Sequence, residues 1–269
     1  MTDRYAVFGH PVAHSRSPDI HTAFARQTGE RLSYGRIEAP PDGFAAALDA
    51  FFAAGGRGCN VTVPFKAEAF ALAARRDPQA LRAEAVNTLW RDAGGVLHGA
   101  NTDGPGLLRD LQTNLRWPLA GCAVLVIGAG GASAGILGPL LDAGPGRLRV
   151  LNRTPERARA LAERWPGQVE WGGLDAPQGR YDLVINASAA GLGGERPPLP
   201  DSVLAPGARA YDLVYGVAAR PFLEWARAAG AAAVQDGLGM LVEQAAESFH
   251  LWRGVRPLTA PVIQALRAG

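Results

Sequence analysis

The first half of the chain carries one lysine, one carboxylate and several hydroxyl and amide side chains in a pattern that suits proton exchange beside a small polar molecule. Of the 27 basic residues, Lys66 is the single lysine and the rest are arginine. Arginine keeps its proton at any pH a protein tolerates, whereas lysine can release one and take it back. Lys66 closes the run "GCNVTVPFK". Pro64 is expected to open a helix there, which puts Lys66 in its first turn. A cation in that place is electrostatically unfavourable, because a helix N-terminus already carries partial positive charge. Asp103, in "NTDG", is the carboxylate that would pair with Lys66 for acid–base work. The plainer reading makes Asp103 a turn residue or a helix cap.

Other polar groups cluster around these two in type. Along the strand of residues 58–63, alternation puts Cys59, Val61 and Val63 on one face and Asn60 and Thr62 on the other. A polar face near a strand's C-terminal end marks the place where open α/β sheets hold ligands. Ser15 and Ser17, in "HSRSP", stand at a helix start, with Ser17 expected as the N-cap and Pro18 as the first helical residue. Hydroxyls and helix amides together can hold a carboxylate. Asn87 lies within the strand-like "AVNTLW", where an amide needs a partner. Gln244 lies just under two turns into a helix that follows Gly237 and Gly239.

The second half carries a different signature. "VLVIGAGGAS" is a strand, a glycine-rich loop of Gly128, Ala129, Gly130, Gly131, Ala132 and Ser133, and then an apolar helix. Such a loop lets backbone approach a pyrophosphate at a helix N-terminus. The next strand ends in Asn152, Arg153, Thr154 and Arg157, where an NAD site would carry an acid for the ribose 2′-hydroxyl. Guanidinium groups suit a 2′-phosphate instead, so the cofactor expected is NADP.

These side chains need a frame, and the rest of the sequence describes one. Strand-like and helix-like segments alternate along 269 residues, which predicts α/β architecture with largely parallel sheets. The pattern restarts after the turn-rich stretch at residues 103–106, where a domain boundary is expected. The last 30 residues or so read as two helices broken at residues 254–257. The net charge of +2 gives no reason to expect nucleic acid as a partner. No apolar run is long enough to span a bilayer and no secretory signal is visible. Cys59 and Cys122 lie in apolar runs and read as buried thiols in a reducing cytoplasm. The histidines show no ligand spacing, so no metal is expected.

Taken together, "GHPVAHSRSP", "NVTVPFK", "AVNTL", "NTDG", "VIGAGGAS", "NRTPER", "VINASAAG", "DLVYG" and "GLGMLVEQAA" resemble the shikimate dehydrogenase family, in order and over essentially the whole chain. The resemblance implies two domains around a cleft. An N-terminal α/β substrate domain would comprise residues 1–103 plus 238–269, its C-terminal helices returning to it. A Rossmann-type NADP-binding domain would comprise residues 104–237. It implies reversible NADPH-dependent reduction of 3-dehydroshikimate to shikimate, in the cytoplasm, by a monomer or homodimer. By the match, Lys66 and Asp103 are the catalytic pair. Ser15 and Ser17 hold the substrate carboxylate, with Tyr215 assisting, and Thr62, Asn87, Asp103 and Gln244 bind the ring hydroxyls. Residues 128–133 take the pyrophosphate. Asn152, Arg153, Thr154 and Arg157 take the 2′-phosphate. Residues 187–191 (Ala187 among them), Leu213 and Gly237 line the nicotinamide side.

Two departures from the pattern stand out. Ala134 replaces a common arginine after the glycine-rich loop, and "NASAAG" replaces the more usual "NATSxG". Three other readings compete. One is an NAD-dependent quinate or quinate/shikimate dehydrogenase, against which Arg153 and the two serines argue. Another is a dinucleotide-binding sensor without turnover. The third is an enzyme resembling methylene-tetrahydrofolate dehydrogenase, in which the serines would lack a role.

Overall fold

A computed structural model describes residues 2–188 and 190–268. The chain divides into two compact units. The first is Met1–Leu107 with Leu241–Gly269, and the second is Leu108–Met240.

The first unit is built on a six-stranded sheet. Its strands are β1 (Asp3–Gly9), β2 (Leu32–Glu38), β3 (Gly56–Val61), β4 (Arg75–Arg76), β5 (Thr88–Arg91) and β6 (Leu97–Ala100), in the spatial order β2-β1-β3-β5-β6-β4. β1, β2 and β3 pair in parallel. β5 is antiparallel to both β3 and β6. The sheet is therefore mixed, where alternation had suggested a largely parallel one. The short connection from β5 to β6 leaves no room for a crossover helix, so it closes as a hairpin.

The helices of this unit are α1 (Ser17–Thr28), α2 (Phe44–Ala53), α3 (Lys66–Leu72), α4 (Pro78–Ala83), α5 (Asp103–Arg109), α6 (Leu238–Arg253) and α7 (Ala260–Ala268), numbered in the order they serve this unit. α5 and α6 carry the chain between the two units. On one side of the sheet Phe8, Phe44, Phe51 and Phe65 pack into one buried cluster. Each such ring contributes about 2–3 kcal/mol through burial. Phe65 stacks on Phe44 with ring centroids 4.9 Å apart, which pins the residue directly before Lys66. α1, α6 and α7 share a second core of Ile20, Phe24, Val242, Phe249 and Val262. That core fixes the long α6 against the unit and so fixes Gln244.

Several expected boundaries differ. α3 starts at Lys66, not at Pro64. The Phe65 N–H bonds the Thr62 carbonyl at 3.0 Å and closes a turn first, and the first helical bond is Ala69 N–H to Phe65 O at 2.8 Å. α1 takes Ser17 as its first residue after Arg16, so Ser17 is not the cap. The stretch at residues 103–106 is helix despite its turn formers. Asn101 Oδ1 accepts the Asp103 N–H at 3.1 Å, and Pro105 lies in the first turn, where its missing N–H is not needed. Cys59 is buried, but Cys122 is only half-buried and precedes its strand; both thiols are free.

The second unit is a parallel six-stranded sheet. Its strands are β7 (Ala123–Ile127), β8 (Arg147–Asn152), β9 (Glu170–Gly173), β10 (Tyr181–Asn186), β11 (Leu204–Asp212) and β12 (Ala233–Gln235). They lie in the order β12-β11-β10-β7-β8-β9. The strand order reverses between β7 and β10, the place where doubly wound sheets bind ligands outside their C-terminal ends. Three further helices, Gly131–Asp142, Pro155–Ala162 and Arg220–Ala228, follow β7, β8 and β11.

Candidate active site

In the first unit, four elements bring a polar cluster to one place. Lys66 opens α3, Asn87 precedes β5, Thr102 and Asp103 follow β6, and Gln244 comes from α6. Lys66 Nζ donates to Asp103 Oδ2 at 2.5 Å. The two side chains are only 16% and 9% exposed, so water screens this pair little. Asp103 is also oriented from its other oxygen, because Asn87 Nδ2 donates to Oδ1 at 2.9 Å.

Asn87 is saturated by the protein itself. Its second N–H goes to Thr102 Oγ1 at 2.9 Å, with Gln244 Oε1 at 3.4 Å. Its Oδ1 accepts the Thr102 N–H and the Thr88 hydroxyl, each at 2.9 Å. The amide thus fixes the direction of the Asp103 carboxylate. Gln244 Nε2 donates one N–H to Leu241 O at 2.8 Å, and its other N–H finds no partner among the described residues.

Beneath this layer lies a hydroxyl cluster that local pattern did not reveal. Ser248 sits 2.8 Å from Thr88 and 3.3 Å from Thr102. Asn60 Nδ2 donates to Ser248 Oγ at 2.9 Å and to Thr88 Oγ1 at 3.1 Å. Asn60 Oδ1 accepts the Tyr34 phenol at 2.7 Å. The alternation that put Asn60 on a polar face was the available signal. Ser248, one turn after Gln244 on the same face of α6, carried a weaker one.

Thr62 is half-buried just past β3. Its methyl would lie 2.5 Å from a Cβ at Gly9, so the glycine makes its room. Ser15 and Ser17 form a local pair. Ser15 Oγ accepts the Ser17 N–H at 3.3 Å and donates to Ser17 Oγ at 3.1 Å. Tyr215 belongs to the second unit, after β11.

His21 on α1 is fully buried and stacks on Tyr34 with ring centroids 4.2 Å apart. Burial pushes its pKa down to about 3, only partly offset by Asn60. The unfolded chain therefore takes up a proton near pH 6.5 that the folded chain refuses, and stability falls as pH drops from there towards 3. The expected loss is about 1.4 kcal/mol per pH unit. Urea denaturation of wild type and His21→Phe at pH 7 and pH 5 measures it. The wild type should lose about 2 kcal/mol more than the variant. Equal losses would show that His21 does not carry this pH dependence.

In the second unit the C-terminal ends of the strands make a cradle. Gly128 has φ 107°, and a Cβ on it would meet the Ala187 backbone at 3.0 Å. Ser133 is buried and donates to Gly128 O at 2.7 Å, which ties the loop to the following helix. Gly130 precedes that helix with no atom within 4 Å of its Cβ position, so its backbone is open to approach. Gly237 has no such space, because a Cβ would lie 2.3 Å from Leu213 O. Leu213 N–H in turn bonds Asn186 O at 2.9 Å. Ala187 and Leu213 thus flank neighbouring strand ends. Ala189, inside the 187–191 segment, lies outside the described residues.

Asp212 is buried beside this edge, and burial raises its pKa to about 6 although Val214 N–H and Asn186 Nδ2 both donate to it. After β8, Asn152 Nδ2 donates to Thr154 O at 2.9 Å and shapes the turn. Arg153 and Arg157 are exposed. No acid stands in "LNRTP" at the end of β8 to repel a phosphate. Thr154 and Pro155 start the next helix, although the Thr154 side chain makes no capping bond. No group of residues suited to a metal ion occurs among the described residues.

Each unit, the first with its Lys–Asp pair and converging amides and the second with its glycine-rich cradle and basic edge, matches known proteins. Residues 7–89 match a model of the shikimate dehydrogenase substrate binding domain. Residues 111–192 match shikimate / quinate 5-dehydrogenase, and 237–267 match the shikimate 5′-dehydrogenase C-terminal domain. The shikimate dehydrogenase (NADP(+)) of Alkalilimnicola ehrlichii is 58% identical, with 99% of each chain covered. The chain belongs to the shikimate dehydrogenase family. The Halorhodospira halophila shikimate dehydrogenase (NADP(+)) is 56% identical over the full length of both chains. The shikimate 5-dehydrogenase of Thermus thermophilus, solved with NADP(H) and shikimate, superposes with TM-score 0.86 at 35% identity, with 99% of each chain covered. An Ael1 enzyme from Pseudomonas putida superposes with TM-score 0.91 at 46% identity over 98% of each chain. As the motifs implied, the fold is α/β, with an N-terminal substrate domain and a Rossmann-like dinucleotide domain.

Proposed function

We propose that this chain interconverts 3-dehydroshikimate and shikimate with NADPH and NADP+, the first unit holding the substrate and the second the cofactor. The observation that carries the reading is Lys66 on Asp103 at 2.5 Å within a converging set of amides and hydroxyls.

The second unit suits the cofactor on three counts. The backbone at Gly130 is open, Ser133 holds the loop against its helix, and Arg153 with Arg157 and Thr154 offers donors to a 2′-phosphate. Gly128, Ala129, Gly131 and Ala132 complete the pyrophosphate loop, and Ala187, Leu213 and Gly237 line the nicotinamide side. When bound, the reduced nicotinamide supplies hydride to the ring ketone.

The chain's own residues do the rest. Ser15 and Ser17 hold the substrate carboxylate. Thr62 and Gln244 orient the ring, so that the ketone meets the hydride on one face, while Asn87, expected as a ring contact, acts through Asp103, which it aims. Lys66 places positive charge and a proton where the ketone oxygen becomes an alkoxide. Asp103 keeps Lys66 in place and accepts a bond from a ring hydroxyl. In the reverse direction the same pair takes up the hydroxyl proton. The free thiols of Cys59 and Cys122 support a reducing compartment, the cytoplasm. Among the described residues no helix is long and apolar enough to cross a membrane.

The test is an initial-rate assay of purified protein with shikimate or quinate and with NADP+ or NAD+, followed through the absorbance of the reduced nicotinamide. Shikimate with NADP+ should give the highest kcat/KM by at least about tenfold, the discrimination that lost hydrogen bonds to a bound group ordinarily produce. Faster turnover of quinate, or of NAD+, would overturn the substrate or the cofactor assignment. Cofactor binding without turnover of either acid would favour a sensor.

A further inference from the structure

The serine pair that anchors the substrate carboxylate in this reading consists of neutral hydroxyls. Its surroundings contain charge of both signs. Asp19 lies in the first turn of α1, two residues after Ser17, and is held by Arg16 at 3.0 Å. At the end of β2, Glu38 lies 3.4 Å from His10. Asp19 is thus ion-paired, and Glu38 faces an imidazole that carries charge only when protonated. Arg36, exposed on β2, is different. Its Nε and Nη2 both donate to the Ser15 carbonyl, at 2.9 and 2.6 Å. Among the described residues no carboxylate forms an ion pair with it.

Two consequences follow from that geometry. A fork of two N–H groups on one carbonyl fixes the Ser15 peptide, and with it the Ser15 hydroxyl that bonds both the N–H and the hydroxyl of Ser17. The fork also uses two of the five guanidinium N–H groups and leaves the full positive charge against the backbone of Ser15. A carboxylate bound by hydroxyls alone keeps its charge unneutralised, and an unpaired cation nearby lowers that cost.

We propose that Arg36 is a positioning and affinity-determining residue for the substrate carboxylate. It braces the Ser15 loop and supplies the positive charge that the hydroxyl anchor lacks. The proposal rests on the reading that Ser15 and Ser17 hold that carboxylate.

The experiment uses the full chain, with initial rates at varied shikimate, saturating NADP+ and two ionic strengths. It compares wild type, Arg36→Met, Arg36→Lys and Ser15→Ala. Arg36→Met should raise KM for shikimate by about 3- to 30-fold, the range that a single nearby unit charge gives between water-like and protein-like screening. Its kcat should stay within about twofold and its KM for NADP+ should not change, since an affinity contact equal in ground and transition states moves KM alone. Salt should weaken shikimate binding in wild type and much less in Arg36→Met. Arg36→Lys should restore the salt dependence but only part of the affinity, because an ammonium cannot make the fork.

If Ser15→Ala raises KM while Arg36→Met and Arg36→Lys leave both KM and its salt dependence at wild-type values, the anchor stands and the role of Arg36 is refuted. If Ser15→Ala itself leaves KM unchanged, the anchor reading fails. A fall in kcat with KM unchanged in Arg36→Met also overturns the proposal. Thermal melts of the variants check that the fold is retained, as expected for an exposed side chain.

Discussion

Lys66→Arg should lower kcat for shikimate oxidation by about 10²- to 10⁴-fold, the contribution that a positioned proton-transfer group ordinarily makes. The substitution keeps a cation beside Asp103, so it separates charge from proton exchange. A guanidinium can still donate to Asp103 Oδ2, which Lys66 Nζ reaches at 2.5 Å. It cannot give up a proton near neutrality. The substrate carboxylate sits on Ser15 and Ser17 in the proposed reading, so KM for shikimate should change only a few-fold. Lys66 is held by local structure that the variant retains: Phe65 is buried on Phe44, and the Lys66 carbonyl accepts the Val86 N–H at 2.9 Å. Circular dichroism and thermal melting should therefore match wild type.

The composition adds an independent readout. An amine-acylating reagent can find only Lys66 and the N-terminus, because the chain has no other lysine. Labelling at Lys66 should abolish turnover, and shikimate should slow it. Turnover of Lys66→Arg within about tenfold of wild type would leave Lys66 no role in proton transfer.

Removing Arg153 and Arg157 together should raise KM for NADP+ by about a hundredfold and leave NAD+ nearly unaffected. The estimate takes two hydrogen bonds to a charged phosphate at about 1.5 kcal/mol each, and every 1.4 kcal/mol is about a factor of ten. Both arginines are exposed, so the double alanine variant costs little stability. Asn152, which shapes the turn through Thr154 O, is retained. The ratio of kcat/KM for the two cofactors is the measurement. A variant that loses NADP+ and NAD+ affinity equally would place the arginines on a part common to both cofactors. Ala134 stands where many family members have another arginine, so no further guanidinium from that position masks the loss.

Much of the candidate site was legible in the sequence because the groups proposed for it are announced by local features. A lone lysine beside a polar strand end, a glycine-rich loop between a strand and a helix, and a strand ending in arginines instead of an acid are all short-range patterns. They name residue types and the ends of elements, which is where α/β proteins place their chemistry. The same patterns gave the strands and helices of the second unit, whose parallel strands are buried on both faces and read as continuous apolar runs.

Other features required the folded chain. Whether Ser17 caps α1 or pairs with Ser15, and whether residues 103–106 turn or coil into a helix, depends on which partner a hydroxyl or amide finds. Composition permits both outcomes, since Ser, Asn and Asp bond backbone in either arrangement. The mixed order of the first sheet follows from a hairpin between β5 and β6 that alternation alone does not distinguish from a crossover. The hydroxyl cluster below Asp103 is the clearest case. Asn60 and Ser248 are 188 positions apart in the chain and meet at 2.9 Å only because α6 packs against the first unit. The sequence by itself determined the family of the chain and the residues on which the proposed chemistry rests. Tertiary structure alone decided how Asp103 is aimed, through Asn87, Thr102 and α6. The reason is that the direction of a side chain depends on partners that packing supplies from distant parts of the chain.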